Sequence, residues 1–193
     1  MGSVIDRLIV GLGNPGEEYR LTRHNLGLLA IQALAAKHRW KFKEASRYFG
    51  RLAKGSIDGK SVHLLFPTTY MNLSGQAVGK YVGFYKIPPQ QLLVAVDDVE
   101  IPFGEIRLKP QGSPGGHNGL KSIEEALGTK EYPRLRLGVG EGAASRSRAE
   151  YVLDKFMPVE LEALPTFIER AVVALEQWVT LGISATMNNA NKK

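Results

Sequence analysis

The sequence predicts an α/β fold in a single domain, with a twisted mixed β-sheet flanked by helices on both faces. Apolar runs typical of buried strands alternate along the chain with segments of helical periodicity, a pattern that indicates a sheet covered by helices. The pair Asp58-Gly59 marks a hairpin turn, which makes the sheet mixed rather than all parallel. Hydrophobic residues make up 44% of the 193 residues, enough for a substantial core. We therefore expect one domain spanning residues 1–193.

In the first half of the chain, a strand at residues 8–10 leads into the turn-rich GLGNPG of residues 11–16, and a helix over 26–36 follows His24. The hairpin strands are predicted at 48–54 and 61–66, and the next helix ends near Tyr85, before Ile87-Pro88-Pro89.

In the second half, the nearly continuous apolar run at 92–96 predicts a central strand covered on both faces. Further strands are predicted at 106–109 and 135–139, on either side of a helix that carries Leu120, Ile123 and Leu127 and stops at Gly128. Residues 141–148, rich in Gly, Ala and Ser, predict a loop. Helices over 159–167 and 171–181 precede a short polar tail.

Several functional classes are disfavoured by what the sequence lacks. It has no cysteine, which excludes disulfides and a thiol nucleophile and fits a cytoplasmic location. There is no Gly-x-Ser-x-Gly elbow, and the four histidines are scattered without metal-ligand spacing, so we expect no metal. No apolar run approaches the roughly 18 residues of a membrane span, and the first residues lack the layout of a signal peptide.

The glycines of residues 11–16 also match Gly-x-Gly-x-x-Gly, so a dinucleotide site is one alternative. That fingerprint requires the glycines to open a helix, so that the pyrophosphate meets the amino end of the helix. Here Pro15 disfavours an α conformation at Asn14, and the acidic residue expected about 20 positions later is missing. A thermal shift with nicotinamide cofactors would test this alternative.

Polar residues fall at the predicted strand ends and helix starts, where α/β folds carry chemistry. They are Asn14, His24, Asn72, Asp97, His117 and Asn118. Each has a structural alternative as a turn residue, a helix cap or a surface side chain. Together they suit hydrolysis by water: an Asp fixes the tautomer of a His, which takes a proton from water, while Asn amides donate to a developing oxyanion. An Asp would raise the pKa of His24 and a helix amino end would lower it, and the sequence leaves that balance open.

A second feature is the glycine-rich GGHNG of residues 115–119, which exposes backbone N–H groups ahead of a helix and suits an anion. Basic residues stand nearby in the sequence: Arg107, Lys109, Lys121, Arg134 and Arg136. They form either a solvated basic face or a phosphate-binding patch, and the net charge of +6 permits a polyanionic partner.

Long motifs in the sequence resemble those of the bacterial-type peptidyl-tRNA hydrolases. They are GLGNPG with Tyr19 and TRHN at residues 11–25, PTTYMNLSG at 67–75, DDVEIP at 97–102, GGHNGLKSI at 115–123 and RLRLGVG at 134–140, continued by YVL at 151–153 and Phe156. The resemblance covers nearly the whole chain, in order. It implies a single-domain α/β fold and hydrolysis of the ester between a peptide and tRNA, which recycles tRNA from prematurely released peptidyl-tRNA.

By matching position, the resemblance also implies roles for individual residues. The catalytic set would be His24 as general base, Asp97 as its orienting partner, and Asn14, which with Asn72 holds the peptide main chain and the scissile carbonyl. Asn118 would help to bind substrate and water, His117 would lie at the mouth of the cleft, and Tyr19 and Met71 would line it. Arg107, Lys109 and Arg136 would meet tRNA phosphates, and residues 142–147 would act as a lid.

The implied partner is peptidyl-tRNA, bound through its acceptor stem and 3′ CCA end by a monomer without cofactor, metal or membrane. A different class remains as an alternative: an RNA-binding relative that has kept the fold and the site but serves in organelle splicing. Recovery of a protein partner together with intron RNA would favour it.

Overall fold

The computed structural model describes residues 4–142 and 147–192, which contain a seven-stranded mixed sheet. The strands are β1 (Arg7–Gly11), β2 (Lys43–Ala45), β3 (Gly50–Ile57), β4 (Lys60–Pro67), β5 (Leu92–Asp98), β6 (Ile106–Lys109) and β7 (Arg134–Gly138). Their order across the sheet is β2-β3-β4-β1-β5-β7-β6. The four strands β4, β1, β5 and β7 pair in parallel, and the two edges pair antiparallel. The mixed sheet is therefore confirmed.

Helices cover both faces of the sheet, as predicted. They are α1 (Leu26–Lys37), α2 (Ser74–Tyr85), α3 (Asn118–Leu127), α4 (Arg148–Leu153), α5 (Pro158–Leu181) and α6 (Ile183–Ala190). One core cluster joins α1 and α5 to the sheet, and a second joins α2 and α3 to the opposite face. Residues 92–96 of β5 are at most 1% exposed, which confirms the prediction of a strand covered on both faces. Among the described residues, no helix has the length and apolarity needed to cross a membrane.

Four sequence-based predictions need correction. The two helices predicted over 159–167 and 171–181 are the single helix α5, which continues through Pro165. The predicted polar tail forms α6, which packs against β6. The short strand β2 was not predicted from the sequence. Tyr48, predicted to begin a strand, lies in a 3-10 turn instead. Of the predicted loop, residues 143–146 lie outside the described part of the chain, and Arg148 already belongs to α4.

The glycine motif of residues 11–16 does not have the geometry of a dinucleotide site. Gly16 is followed by a 3-10 turn at Glu17–Tyr19, and α1 begins only at Leu26. No α-helix therefore starts at these glycines to meet a pyrophosphate, which removes the physical basis for the dinucleotide alternative.

A close approach of two backbones fixes the start of α1 against the sheet. Gly27 lies over the carbonyl of Ala95 in β5, where an added Cβ would overlap the carbonyl oxygen. The N–H of Leu28 donates to the carbonyl of Leu12, just beyond β1, and the N–H of Leu12 donates to Ala95. The segment that carries His24 is thereby held beside the end of β5.

Candidate active site

A cleft of about 490 Å³ lies where β1, β4 and β5 end. Because these strands are mutually parallel, their carboxyl ends meet at one edge of the sheet, the usual place for ligands in α/β folds. The loops after these strands, the start of α3 and one face of α4 form its walls. The cleft brings together nine of the predicted site residues: Asn14, Tyr19, His24, Met71, Asn72, Asp97, His117, Asn118 and Arg136.

His24 and Asp97 form the predicted pair. His24 lies in the 3-10 turn before α1, and its Nδ1 is 3.0 Å from Oδ1 and 3.1 Å from Oδ2 of Asp97. The Asp97 side chain is only 2% exposed, so its carboxylate depends on protein donors for its hydrogen bonds. The hydrogen-bond network assigns the ring proton of His24 to Nδ1, which leaves Nε2 as a proton acceptor on a ring that lines the cleft.

His117 contacts the same carboxylate, a link that the sequence did not reveal. Its Nε2 is 3.0 Å from Asp97 Oδ1, and its Nδ1 accepts the backbone N–H groups of Gly119 and Leu120. His117, not Asn118, is therefore the residue whose side chain caps α3. Because Nδ1 accepts, the neutral ring carries its proton on Nε2 and donates it to Asp97. The prediction that His117 lies at the mouth of the cleft omitted this inward bond.

The same three side chains are a group in the described residues that could hold a metal ion, since their ligand atoms lie within 4.8 Å of one another. The cap on α3 argues against that use. A metal at Nε2 of His117 would move the ring proton to Nδ1, where it would face the N–H groups of Gly119 and Leu120. The donor set therefore fits two histidines hydrogen-bonded to one ionised carboxylate better than it fits a metal site.

The structure defines the opposing effects on the pKa of His24. Burial lowers the pKa of His24, but the charge and the hydrogen bond of Asp97 outweigh burial, and the pKa is raised overall. Burial alone would raise the pKa of Asp97. Its interactions with His24 and His117 dominate and hold that pKa well below the usual range of a carboxyl group. Asp97 therefore stays ionised in the folded protein at ordinary pH.

Asn14 is buried and held in one orientation by the backbone around it. Its side-chain oxygen accepts the N–H of Met71 at 2.8 Å. The side chain of Asn25 takes both backbone groups of Asn14, accepting its N–H at 2.8 Å and donating to its carbonyl at 2.9 Å. Within the described residues, Nδ2 of Asn14 has no protein acceptor, so this amide has protons to donate in the cleft.

The other predicted residues divide between the cleft and the adjacent sheet edge. Arg136 borders the cleft, yet its side chain is only 12% exposed and donates to Asp98 at 3.1 Å and to the carbonyl of Ser113 at 2.8 Å. Arg107 and Lys109 lie outside the cleft on the exposed face of β6, and Arg107 is opposite Arg136 in the register. Like charges directly opposite repel one another, and here Asp98 beside Arg136 and Glu105, 3.8 Å from Arg107, offset that repulsion in part.

Sequence reasoning missed residues that support the site from behind. Asn25 stands beside His24 in the TRHN motif, which was the available signal for its role at Asn14. The neighbouring Arg23 forms a buried ion pair with Glu160 at 2.8 Å and packs 4.3 Å from the ring of Tyr151. Arg23 thus joins the turn that carries His24 to the first turn of α5 through Glu160, and to α4, part of the cleft wall, through Tyr151. No sequence pattern linked residues so far apart.

Comparisons with known proteins agree on one family. The profile of the family described as Peptidyl-tRNA hydrolase matches residues 8–193. A protein named peptidyl-tRNA hydrolase from Gloeobacter violaceus is 47% identical over 187 residues, covering 97% of this chain and 94% of that protein. One from Chloroflexus aggregans is also 47% identical, covering 95% and 98%. The crystal structure of peptidyl-tRNA hydrolase from Acinetobacter baumannii superposes with a TM-score of 0.91 at 38% identity, over 98% of this chain and 97% of that one.

Proposed function

This chain belongs to the peptidyl-tRNA hydrolase family, and we propose that it cleaves the ester between peptide and tRNA with His24 as the general base. The reaction class is that of a hydrolase acting on the ester bond of peptidyl-tRNA. The observation that carries the assignment of the base is the hydrogen bond from His24 Nδ1 to the buried carboxylate of Asp97, which leaves Nε2 free to accept a proton in the cleft.

In the proposed reaction, Nε2 of His24 takes a proton from water as the water oxygen attacks the ester carbonyl carbon. Asp97 holds the tautomer and stabilises the imidazolium that forms. When the tetrahedral intermediate breaks down, the imidazolium returns the proton to the departing ribose oxygen of the tRNA. The products are tRNA with an intact 3′ end and a peptide carboxylic acid, which ionises by releasing a proton to solvent.

The proposed oxyanion donor is Asn14. Its side-chain oxygen is already bound to the N–H of Met71, which fixes the amide, so Nδ2 can donate to the developing oxyanion without a rotation of the side chain. Asn72 and Asn118 lie on the cleft walls and are proposed to hold the peptide main chain and the attacking water, respectively. Tyr19 and Met71 are proposed to supply apolar contacts to the peptide.

The tRNA is proposed to lie along the basic edge beside the cleft. Arg107 and Lys109 are exposed on β6, and Arg136 connects that edge to the cleft through its position opposite Arg107. Phosphates of the acceptor stem would contact Arg107 and Lys109, while the 3′ CCA end enters the cleft past Arg136. Because Asp98 and Ser113 already hold Arg136, we expect Arg136 to contribute less to binding than Lys109, whose head group is exposed.

A monomeric state, a cytoplasmic location and catalysis without metal or cofactor are further parts of this proposal. The family resemblance supports the first two, and the tautomer of His117 supports the third. Size-exclusion chromatography with light scattering tests the first, and activity after exhaustive dialysis against EDTA tests the third.

The decisive experiment measures peptide release from N-acetyl-aminoacyl-tRNA by the wild type and by His24→Ala. We expect kcat to fall by roughly 10³-fold or more because the base is lost. His38→Ala is the matched control, since His38 bonds Glu176 beyond the far end of α1. Cleavage that survives in His24→Ala would move the base to another residue. A folded wild type that cleaves nothing would refute the hydrolase assignment and favour the RNA-binding alternative.

A further inference from the structure

Strand β6, at one edge of the sheet, has its backbone exposed on the side away from β7. Backbone groups in an antiparallel ladder alternate between the partner strand and the open side. The N–H of Gly138 donates to Glu105, just before β6, so the groups of Arg107 and Lys109 also face β7. Those of Leu108 face the open side, where no neighbouring strand among the described residues can pair with them.

Asn191, directly after α6, satisfies both of these open groups. Its Oδ1 accepts the N–H of Leu108 at 2.7 Å, and its Nδ2 donates to the carbonyl of Leu108 at 2.9 Å. The side-chain amide thus takes the place of a peptide unit in a neighbouring strand. The Leu108 side chain is fully buried in the core cluster beside α6, so Leu108 is fixed by its side chain and by its backbone.

These two hydrogen bonds from Asn191 to Leu108, called the Asn191 clamp below, lie at the part of β6 that carries its exposed cations. Leu108 lies between Arg107 and Lys109, the two exposed cations of β6. The register sets Arg107 opposite Arg136 and Lys109 opposite Arg134, so like charges face one another across the two strands. Carboxylates offset this repulsion in part: Glu105 lies 3.8 Å from Arg107, and Asp98 lies 3.1 Å from Arg136. A strand of only four residues has few ladder bonds to resist that repulsion. The clamp adds two hydrogen bonds at its centre.

We propose that Asn191 is a positioning residue for tRNA binding, which holds β6 so that Arg107 and Lys109 present their charges in a fixed arrangement to successive phosphates. This inference rests on the proposed role of these two cations in the reaction. Asn191 itself touches neither the substrate nor the reacting atoms. Its effect should therefore appear in KM for substrates that carry the tRNA body, while kcat is retained.

The test compares two substrates: N-acetyl-phenylalanyl-tRNA and the same acyl group on the trinucleotide CCA. Asn191→Ala removes both hydrogen bonds, and Asn191→Leu removes them while keeping the side-chain size. We expect each to raise KM for the full tRNA substrate by about 3- to 10-fold, with kcat within about twofold and the trinucleotide ester unaffected. Asn189→Ala is the matched control, because Asn189 is exposed in the last turn of α6, two residues before Asn191, and makes no side-chain hydrogen bond within the described residues. Assays run well below the Tm of each variant.

A double-mutant cycle separates positioning from general stability. In an Arg107→Ala/Lys109→Ala background, the two cations that Asn191 is proposed to position are absent. Asn191→Ala should then raise KM by less than about twofold over that double variant. The inference is overturned if KM is unchanged in Asn191→Ala and Asn191→Leu while the two cation substitutions raise it, or if the effects multiply in full. If the cation substitutions themselves leave KM unchanged, the proposed tRNA contact at β6 fails, and this inference fails with it, although the hydrolase activity stands.

Discussion

Replacing Asp97 by Asn tests the proposed role of Asp97 most directly, because it removes the charge while keeping the shape of the side chain. Oδ1 of Asp97 accepts from both histidines at 3.0 Å, and Oδ2 lies 3.1 Å from Nδ1 of His24. With the amide oxygen retained on His117, the new NH₂ group faces Nδ1 of His24. His24 must then accept at Nδ1 and carry its proton on Nε2, where the base is required.

The expected loss in kcat is roughly 10³- to 10⁴-fold, about 4 to 5.5 kcal/mol of transition-state stabilisation, as for the same change in the His–Asp pair of serine proteases. The charge that outweighs burial is also lost, so the pKa of His24 falls and the acid limb of the pH–kcat profile moves to lower pH. Single-turnover release of labelled N-acetyl-aminoacyl groups between pH 5 and 9 measures both effects.

The control is Asp58→Asn, the same neutralisation in the exposed turn between β3 and β4, where Asn tolerates the positive φ of 47°. Its kcat should match that of the wild type. An Asp97→Asn variant with kcat within tenfold of wild type and an unmoved acid limb would refute the proposed role of Asp97 in orienting His24 and stabilising its charged form.

Three further predictions concern the oxyanion donor, a buried histidine and the ion pair behind the site. Asn14→Ala should lower kcat by roughly 10²- to 10³-fold with little change in KM. A raised KM with unchanged kcat would contradict the donor role, because it would mean that Asn14 binds the ground state and the transition state equally. Burial, aided by a nearby lysine, lowers the pKa of His63 to about 4, so the free energy of unfolding should fall by at most about 3 kcal/mol as pH drops from 6.5 to 4. Urea titrations of the wild type and His63→Gln measure this, and the variant should lose that part of the pH dependence. Glu160→Ala leaves the buried charge of Arg23 without its carboxylate partner and should lower the free energy of unfolding by about 3–5 kcal/mol. Replacing the exposed Glu162 by Ala should change it by less than about 0.5 kcal/mol.

Local patterns were sufficient for much of the fold because each pattern agreed with its tertiary setting. The apolar run of β5 is buried on both faces, and Gly128 ends α3 with the positive φ that glycine allows. Helix α6 was missed because its asparagines and serine have weak helix propensity, and packing of Ile183 and Met187 on the core stabilises it instead.

Within the site, residue types and strand ends predicted which side chains would gather, but not how they would bond. The pair His24–Asp97 followed from motif resemblance. The bond from His117 to the same carboxylate depends on where α3 begins relative to the end of β5, a tertiary distance that no local pattern encodes. The bond between Asn14 and Met71 joins the ends of β1 and β4 and was hidden for the same reason.

The contact between Gly27 and Ala95 has a consequence for how this enzyme tolerates sequence change. The placement of the turn that carries His24 beside Asp97 depends on two main chains in van der Waals contact, with no side chain between them. A single methyl group at position 27 would push the two apart, so this position should be among the least substitutable in the protein, although it makes no chemical contribution to the reaction.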